Sequence, residues 1–177
     1  MDLQILIVAF SEPSGDQRRD LTEAAWFGHV AKVEALLQLP MDPNPDAARD
    51  AGGSTPLLRA SRNGHEQVAR LLLEAGAEKD ASDSDGCTAL MHAASIGCEP
   101  VVQLLLEAGA EKDQCDSEGR TALIAAAAYG HVSVVRLLLD AGAEADTCDL
   151  SGNTALILAA TRGCTPVVRL LVEAGAT

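Results

Sequence analysis

The stretch Leu-Leu-Leu-Glu-Ala-Gly-Ala-Glu-Lys-Asp decides the fold of this chain, because it runs from Leu71 to Asp80 and recurs unchanged from Leu104 to Asp113. The two copies start 33 residues apart, and a near copy begins another 33 residues later at Leu137. A shortened version starts at Leu170 and runs to the end of the chain. A fixed period of this length indicates one small structural unit that is stacked on itself.

Four regular units share the line Asp-x-x-Gly-x-Thr-(Pro/Ala)-Leu-x-x-Ala, followed by a second Gly and a run rich in Val and Leu. The Asp and the first Gly suit a tight turn, and the Thr supplies the hydroxyl of a helix N-cap. The second Gly suits a left-handed C-cap, after which the apolar run predicts a second helix. A helix pair of this size cannot bury its own apolar faces, so the units must stack.

The shared line strongly resembles the ankyrin repeat, whose signature includes Thr-Pro-Leu-His-x-Ala. The resemblance covers residues 15–177 and implies an all-α solenoid of stacked helix–turn–helix units with β-turn or hairpin tips. The chain departs from the family where the signature has His, and His92 falls one place later. The residues at that position are Leu58, Met91, Ile124 and Ile157. We therefore expect apolar packing to replace the polar link that this histidine gives in the family.

The period divides the chain into an N-terminal segment and five repeats. Residues 1–13 read as an apolar strand without a partner in the chain, or as a tail that lies on the first repeat. Residues 14–49 form a degenerate first repeat and a proline loop. The regular repeats span 50–82, 83–115, 116–148 and 149–177, the last incomplete at its C-terminus. That last repeat lacks the polar substitutions of a terminal cap, which predicts end-to-end self-association or continuation of the array.

Composition excludes several functions. The 177 residues carry a net charge of −13, which argues against a nucleic-acid surface and favours neutral or basic partners. The apolar run from Leu3 to Phe10 is too short to cross a membrane and lacks the features of a signal peptide. The chain has five cysteines, with no Cys-x-x-Cys pair and no Cys/His cluster at metal spacing. This pattern predicts reduced thiols and no metal site, and therefore an intracellular, cytoplasmic protein.

No constellation of catalytic residues is evident. Three histidines, His29, His65 and His131, occupy one repeat position just after the helix-ending Gly, which predicts a structural capping role. His92 and Cys98 are the nearest approach to a catalytic pair, but they lack a third, orienting group. The Glu-Lys-Asp triplets that begin at Glu78 and Glu111 read as solvated loops. We therefore expect a non-enzymatic protein with no cofactor.

The resemblance also implies where a partner binds, because partners of ankyrin repeats usually lie along the turn tips and the first helix of each unit. The positions that differ between units make a stripe along the first helices: Phe27, Asn63, Ile96, Tyr129 and Arg162. Our hypothesis is that Ile96 and Tyr129 form the apolar centre of a groove, with Asp85 and Glu118 as an acidic rim that selects basic groups. The alternatives remain that Tyr129 is an incidental surface residue, and that Trp26 and Phe27 pack under the proline loop.

Two functions follow from this organisation. The first is a protein–protein interaction module, a scaffold or adaptor that binds a partner protein on its turn tips and concave groove. The second is a targeting or regulatory arm of a larger enzyme or channel, whose catalytic or membrane part lies outside this chain.

Overall fold

The computed structural model describes residues 15–39, 43 and 52–177, and these residues form five helix pairs. The first helices of the pairs are α1 (Gly15–Phe27), α3 (Pro56–Arg62), α5 (Ala89–Ser95), α7 (Ala122–Tyr129) and α9 (Ala155–Thr161). The second helices are α2 (Val30–Leu37), α4 (Glu66–Glu74), α6 (Glu99–Glu107), α8 (Val132–Asp140) and α10 (Thr165–Glu173). The predicted strand at residues 1–13 and most of the predicted proline loop lie outside the described residues.

Each helix packs on its own partner and on its counterpart in the next unit, so the molecule is a two-layered stack. The first helices α1, α3, α5, α7 and α9 form one layer, and the second helices form the other. Within the described residues no strand is formed, and β structure is limited to isolated bridges at two turns, Ser82 with Thr88 and Cys148 with Thr154. The predicted all-α solenoid with turn tips is confirmed. The boundaries of the individual repeats stay predictions.

The residues shared by the units carry the stack. Alanines of the first helices are fully buried, which lets neighbouring helices approach closely: Ala60, Ala93, Ala126 and Ala159. Fully buried leucines fill the second layer: Leu72, Leu105, Leu138 and Leu171. The predicted threonine N-caps are confirmed, since the hydroxyl of Thr88 accepts a hydrogen bond from the backbone N–H of Met91 at 3.3 Å, and Thr121 does the same for Ile124.

The apolar residues at the expected histidine position behave as predicted in three units. Leu58, Met91 and Ile124 are buried at 2%, 5% and 1% exposure, whereas Ile157 in the last pair is 45% exposed. The self-association or continuation predicted for this end of the stack stays a prediction. No helix of the described part of the chain is long and apolar enough to span a bilayer.

Candidate partner-binding groove

An aspartate heads each of the last three turn tips and fixes its shape. One oxygen of Asp83 accepts hydrogen bonds from the backbone N–H groups of Asp85 and Cys87 at 3.0 and 2.9 Å. Asp116 and Asp149 hold their own turns in the same way. Because Oδ1 is committed to the turn, Oδ2 remains for side-chain partners, and those partners differ between units.

Backbone hydrogen bonds join neighbouring tips into a row. The N–H of Ser84 donates to the carbonyl of Gly52 at 3.0 Å, that of Ser117 to Asp85 at 2.9 Å, and that of Leu150 to Glu118 at 2.9 Å. We call this series the tip row. It holds the main chain of the predicted rim in place, while the side chains of Asp85 and Glu118 are exposed to solvent.

A groove of about 500 Å³ lies between the tip row and the first helices α5, α7 and α9. Four of the six predicted site residues line it: Asp85, Glu118, Tyr129 and Arg162. The structure does not bring Asn63 and Ile96 into this cavity. The side chain of Asn63, the C-cap residue of α3, donates to the carbonyl of Arg59 at 3.0 Å. Ile96 follows α5 and is 45% exposed.

Tyr129 on the predicted stripe and Trp26 beside it each contact an arginine, and Tyr129 and Phe27 are exposed. The ring of Tyr129 is 61% exposed, and the guanidinium carbon of Arg162 lies 5.6 Å from its centre. Phe27 is 56% exposed, while the ring of Trp26 lies 4.5 Å from the guanidinium carbon of Arg59. Trp26 thus contacts a cation of the next unit, and whether Trp26 or Phe27 also packs under the proline loop falls outside the described residues.

Arg120 neutralises part of the predicted acidic rim. Its guanidinium lies 2.8 Å from Asp116 and 3.0 Å from Glu118. Burial acts to raise the pKa of Asp116, but the net effect of its surroundings is to lower that pKa. The opposing causes are hydrogen bonds from the backbone and guanidinium of Arg120, a hydrogen bond from the backbone of Glu118, and the charge of Arg120. The rim therefore carries less free negative charge at Glu118 than the sequence suggested.

The next head carboxylate uses a neutral partner. The amide of Asn153 donates to both oxygens of Asp149, at 3.2 and 3.1 Å. Hydrogen bonds from the backbone and side chain of Asn153 lower the pKa of Asp149. Asn153 and Arg120 occupy the same position in their units, so in these two units that position supplies the partner of the carboxylate.

The unit headed by Asp83 has Cys87 at this position, and its head carboxylate pairs with a histidine. Nε2 of His92 lies 2.8 Å from Oδ2 of Asp83, and both side chains are largely buried, at 13% and 8% exposure. Sγ of Cys87 lies 3.8 Å from Oδ2 of Asp116. Burial, followed by the charges of Asp83 and Asp116, raises the pKa of the Cys87 thiol to about 11. Sequence reasoning missed this cluster.

His92 corrects one sequence-based expectation, the loss of the polar link in its unit. The unit of Met91 retains a polar link in addition to its apolar packing, because His92 reaches the head carboxylate from one position further along the helix. The pair His92 and Cys98, which the sequence analysis had discounted as a catalytic pair, has separate partners, since Sγ of Cys98 contacts the carbonyl of Gly64 at 3.8 Å. The only sequence signal for the actual partners was that Asp83 heads the turn that precedes α5.

The repeated histidines act differently from the prediction. His65 and His131 occupy the N-cap positions of α4 and α8, yet their side chains make no capping hydrogen bond. Nε2 of His65 lies 3.0 Å from the carbonyl oxygen of Trp26, and Nε2 of His131 lies 3.0 Å from that of Ser95. These rings therefore join one unit to the preceding one, which is a structural role across the stack and not a cap.

The chain matches a known family and is similar to two human proteins over part of its length. The pattern described as "Ankyrin repeats (3 copies)" matches residues 21–116 and 101–177. The human protein "Ankyrin repeat domain-containing protein 39" is 45% identical over 67 residues, which are 37% of this chain and 34% of that protein. The human "Transient receptor potential cation channel subfamily A member 1" is 37% identical over 70 residues, which are 40% of this chain and 6% of the channel. The matched segments thus span about a third or less of these relatives.

Proposed function

Because this chain belongs to the ankyrin-repeat family, we propose that it is an interaction module that binds a partner protein on its tip row and in its concave groove. Ankyrin repeats generally mediate protein–protein interactions, and the family is typically non-catalytic. We also propose that the chain acts inside the cell, where the five free cysteines would stay reduced.

The observation that carries the proposal is the exposed aromatic in the groove. Tyr129 is 61% exposed at the C-terminal end of α7, and the guanidinium of Arg162 lies over its ring. Tyrosine and arginine are the side chains that most often dominate the binding energy of an interface. Ile96, one unit earlier at the same position, extends this surface beyond the cavity and is 45% exposed.

The charges of the groove favour a partner with basic groups. Five carboxylates and three arginines line it, and the carboxylates are Asp83, Asp85, Asp116, Glu118 and Asp149. Arg120 pairs with two of them, so the attraction for a basic side chain is strongest towards Asp85. We therefore propose a partner segment that places an apolar side chain on Tyr129 and a basic one near Asp85.

The test uses the chain as bait. Proteins captured by affinity or proximity labelling with the native chain are compared with those captured by Tyr129→Ala and Glu118→Lys, and a captured partner is then titrated directly. We expect Tyr129→Ala to weaken binding by about 30-fold or more, the range of an interface hot spot. Gln103→Ala is the matched control, because Gln103 is exposed on α6, in the second layer. Unchanged capture by both groove variants would refute the proposed surface.

A second candidate function is a targeting or regulatory arm of a larger enzyme or channel. The match to a cation channel, of which the segment spans 6%, favours this candidate. The intact mass of the native protein, or a longer transcript, separates the two functions. A native mass equal to that of the 177 residues would exclude the arm, whereas a larger mass with a catalytic or membrane segment would support it.

A further inference from the structure

The cluster at the Asp83 turn presents three different metal-binding atoms in one place. A carboxylate oxygen of Asp83, the thiol sulfur of Cys87 and a ring nitrogen of His92 all lie within 4.8 Å of one another. Each of the three side chains is partly or largely shielded from solvent, and all three line the groove. We propose that Asp83, Cys87 and His92 form a binding site for a divalent zinc ion.

The spacing of the three atoms is close to that of a zinc site. In a tetrahedral site with bonds of about 2.0–2.3 Å, the ligand atoms lie about 3.3–3.6 Å apart. The separations of up to 4.8 Å therefore need to close by little more than about 1 Å. The 2.8 Å contact between His92 and Asp83 has to open by about half an ångström, as the ion replaces the shared proton.

The turn already holds one ligand in position. Oδ1 of Asp83 accepts two backbone hydrogen bonds, from Asp85 and Cys87, so its carboxylate is fixed while Oδ2 faces His92. Outer bonds of this kind orient a metal ligand and reduce the entropy that binding costs. The same turn fixes the backbone of Cys87, so two of the three ligands are placed by one local structure.

The chemistry of the ligands selects the ion. A thiolate together with an imidazole and a carboxylate suits Zn²⁺, whereas Mg²⁺ and Ca²⁺ prefer oxygen ligands alone. On binding, the Cys87 thiol releases its proton to solvent and the imidazole carries its proton on Nδ1. The two negative ligands then balance the charge of the ion, and the coordination becomes neutral.

A fourth coordination position remains open towards the groove. Oδ2 of Asp116 lies 3.8 Å from Sγ of Cys87, but the Arg120 guanidinium holds that oxygen at 2.8 Å. A water molecule from the groove therefore completes the coordination, and Arg120 keeps Asp116 out of it. Three protein ligands and one exchangeable position are typical of a zinc site that is accessible to other molecules.

The combination does not recur in the other units. Ser54, Arg120 and Asn153 take the position of Cys87, and Arg59, Ala125 and Leu158 take that of His92. A contribution to the stack, such as the buried alanines and leucines make, would be expected in every unit, and this combination is confined to one. The variants Cys87→Ser and His92→Ala also introduce residues that the same fold accommodates in a neighbouring unit.

The experiment is a titration of the tag-free chain with Zn²⁺, in a reductant without thiols and against a coloured chelator. Co²⁺ serves as a spectroscopic probe, because a cobalt–thiolate bond absorbs in the near ultraviolet. We expect one ion per chain, a thiolate band with Co²⁺, and a rise in the melting temperature with Zn²⁺. Cys87→Ser should abolish the band, and His92→Ala and Asp83→Asn should weaken binding of Zn²⁺ at least tenfold.

Two controls keep the result decisive. Cys115→Ser removes an exposed thiol outside the cluster and should leave the affinity and the band unchanged. Melting curves of every variant without metal establish that loss of binding is not loss of fold, and Asp83→Asn retains the acceptor that the turn requires. Absence of saturable binding, or a band and affinity that survive in Cys87→Ser, would overturn the proposal.

Discussion

The units headed by Asp83 and Asp116 have the same backbone and different chemistry. Both use a threonine N-cap, a buried leucine in the second helix and an aspartate whose Oδ1 closes the turn. They differ at the fourth residue after the aspartate, which is Cys87 in one and Arg120 in the other. Arg120 pairs with two carboxylates, whereas beside Cys87 the carboxylate of Asp83 pairs with His92.

The comparison separates two kinds of position. Residues that face the neighbouring unit are repeated because each interface imposes the same packing on them. Residues that face the groove do not pack against a neighbouring unit, so they are free to differ between units. A single substitution among them changes the charge and the ligands that the groove offers to a partner. The two units should therefore respond alike to changes in the core and differently to changes at the groove.

The largest effect is expected in the core, where the two units should be equivalent. Leu105 and Leu138 are both fully buried in the second layer. Replacing either by Ala should lower the free energy of unfolding by about 2–5 kcal/mol, because the substitution removes apolar contacts and leaves a cavity. Chemical denaturation of the two variants checks this. A small loss of stability in one variant and a large loss in the other would show that the two units are not equivalent.

An intermediate effect is expected at the glycines that end the first helices. Gly97 has a φ of +72°, and a Cβ there would lie 2.5 Å from Nδ1 of His131. Gly130 has a φ of +75°, and its Cβ would lie 2.9 Å from Sγ of Cys164. Both changes to Ala force a left-handed backbone that costs about 1–2 kcal/mol.

The two glycine variants should nevertheless differ in stability. The ring of His131 is held by its contact with the Ser95 carbonyl at 3.0 Å, whereas the thiol of Cys164 can rotate away. Gly97→Ala should therefore melt at a lower temperature than Gly130→Ala. If Gly130→Ala instead melts at the lower temperature, the contact between His131 and the Ser95 carbonyl breaks at little energetic cost.

The smallest effect is expected at Arg120, and it depends on pH. The pKa of Asp116 is lowered in the folded state, so the ionised carboxylate stabilises the fold. This contribution to the free energy of unfolding is present above the ordinary pKa of about 4 and is lost as the pH falls through the lowered pKa. Arg120 is 43% exposed, so Arg120→Ala should cost only about 0.5–1 kcal/mol at pH 7.

The pH dependence distinguishes the ion pair from lost packing. The stabilities of Arg120→Ala and the native chain should converge in acid, once Asp116 is protonated in both. Arg136→Ala removes an exposed arginine of α8 and should produce no such convergence. A deficit of Arg120→Ala that persists unchanged in acid would contradict a role for the Asp116 carboxylate.

The sequence predicted those parts of the structure that depend on local rules. The Thr caps, the glycines that end helices and the alternation of two helices per unit follow from side-chain chemistry within a few residues. The contact between Asp83 and His92 was not predicted, because it depends on how the turn folds back over the following helix. The rings of His65 and His131 were misassigned for the same reason, since their partners lie in another unit.

The aspartate at the end of the repeated stretch was also underestimated. The Glu-Lys-Asp triplets were expected to be solvated loops, but the carboxylate of Asp80 accepts the backbone N–H of Glu111 at 2.8 Å, and Asp113 does the same for Glu144. Asp146 accepts the backbone N–H of Thr177. The loops therefore fasten successive units together. A period in the sequence shows that a residue recurs, but not which neighbour it contacts.

The tip row has a consequence for how this protein can change over time. Its links between Ser84, Ser117 and Leu150 and the preceding tips use only main-chain atoms, and the side chain of Leu150 is 82% exposed. Substitutions at these positions by residues other than proline keep the donating N–H groups, so selection can alter the tips one residue at a time without first having to rebuild the stack. Randomised libraries directed at the tips should yield folded proteins at high frequency, which makes this edge the natural starting point for evolving new specificities.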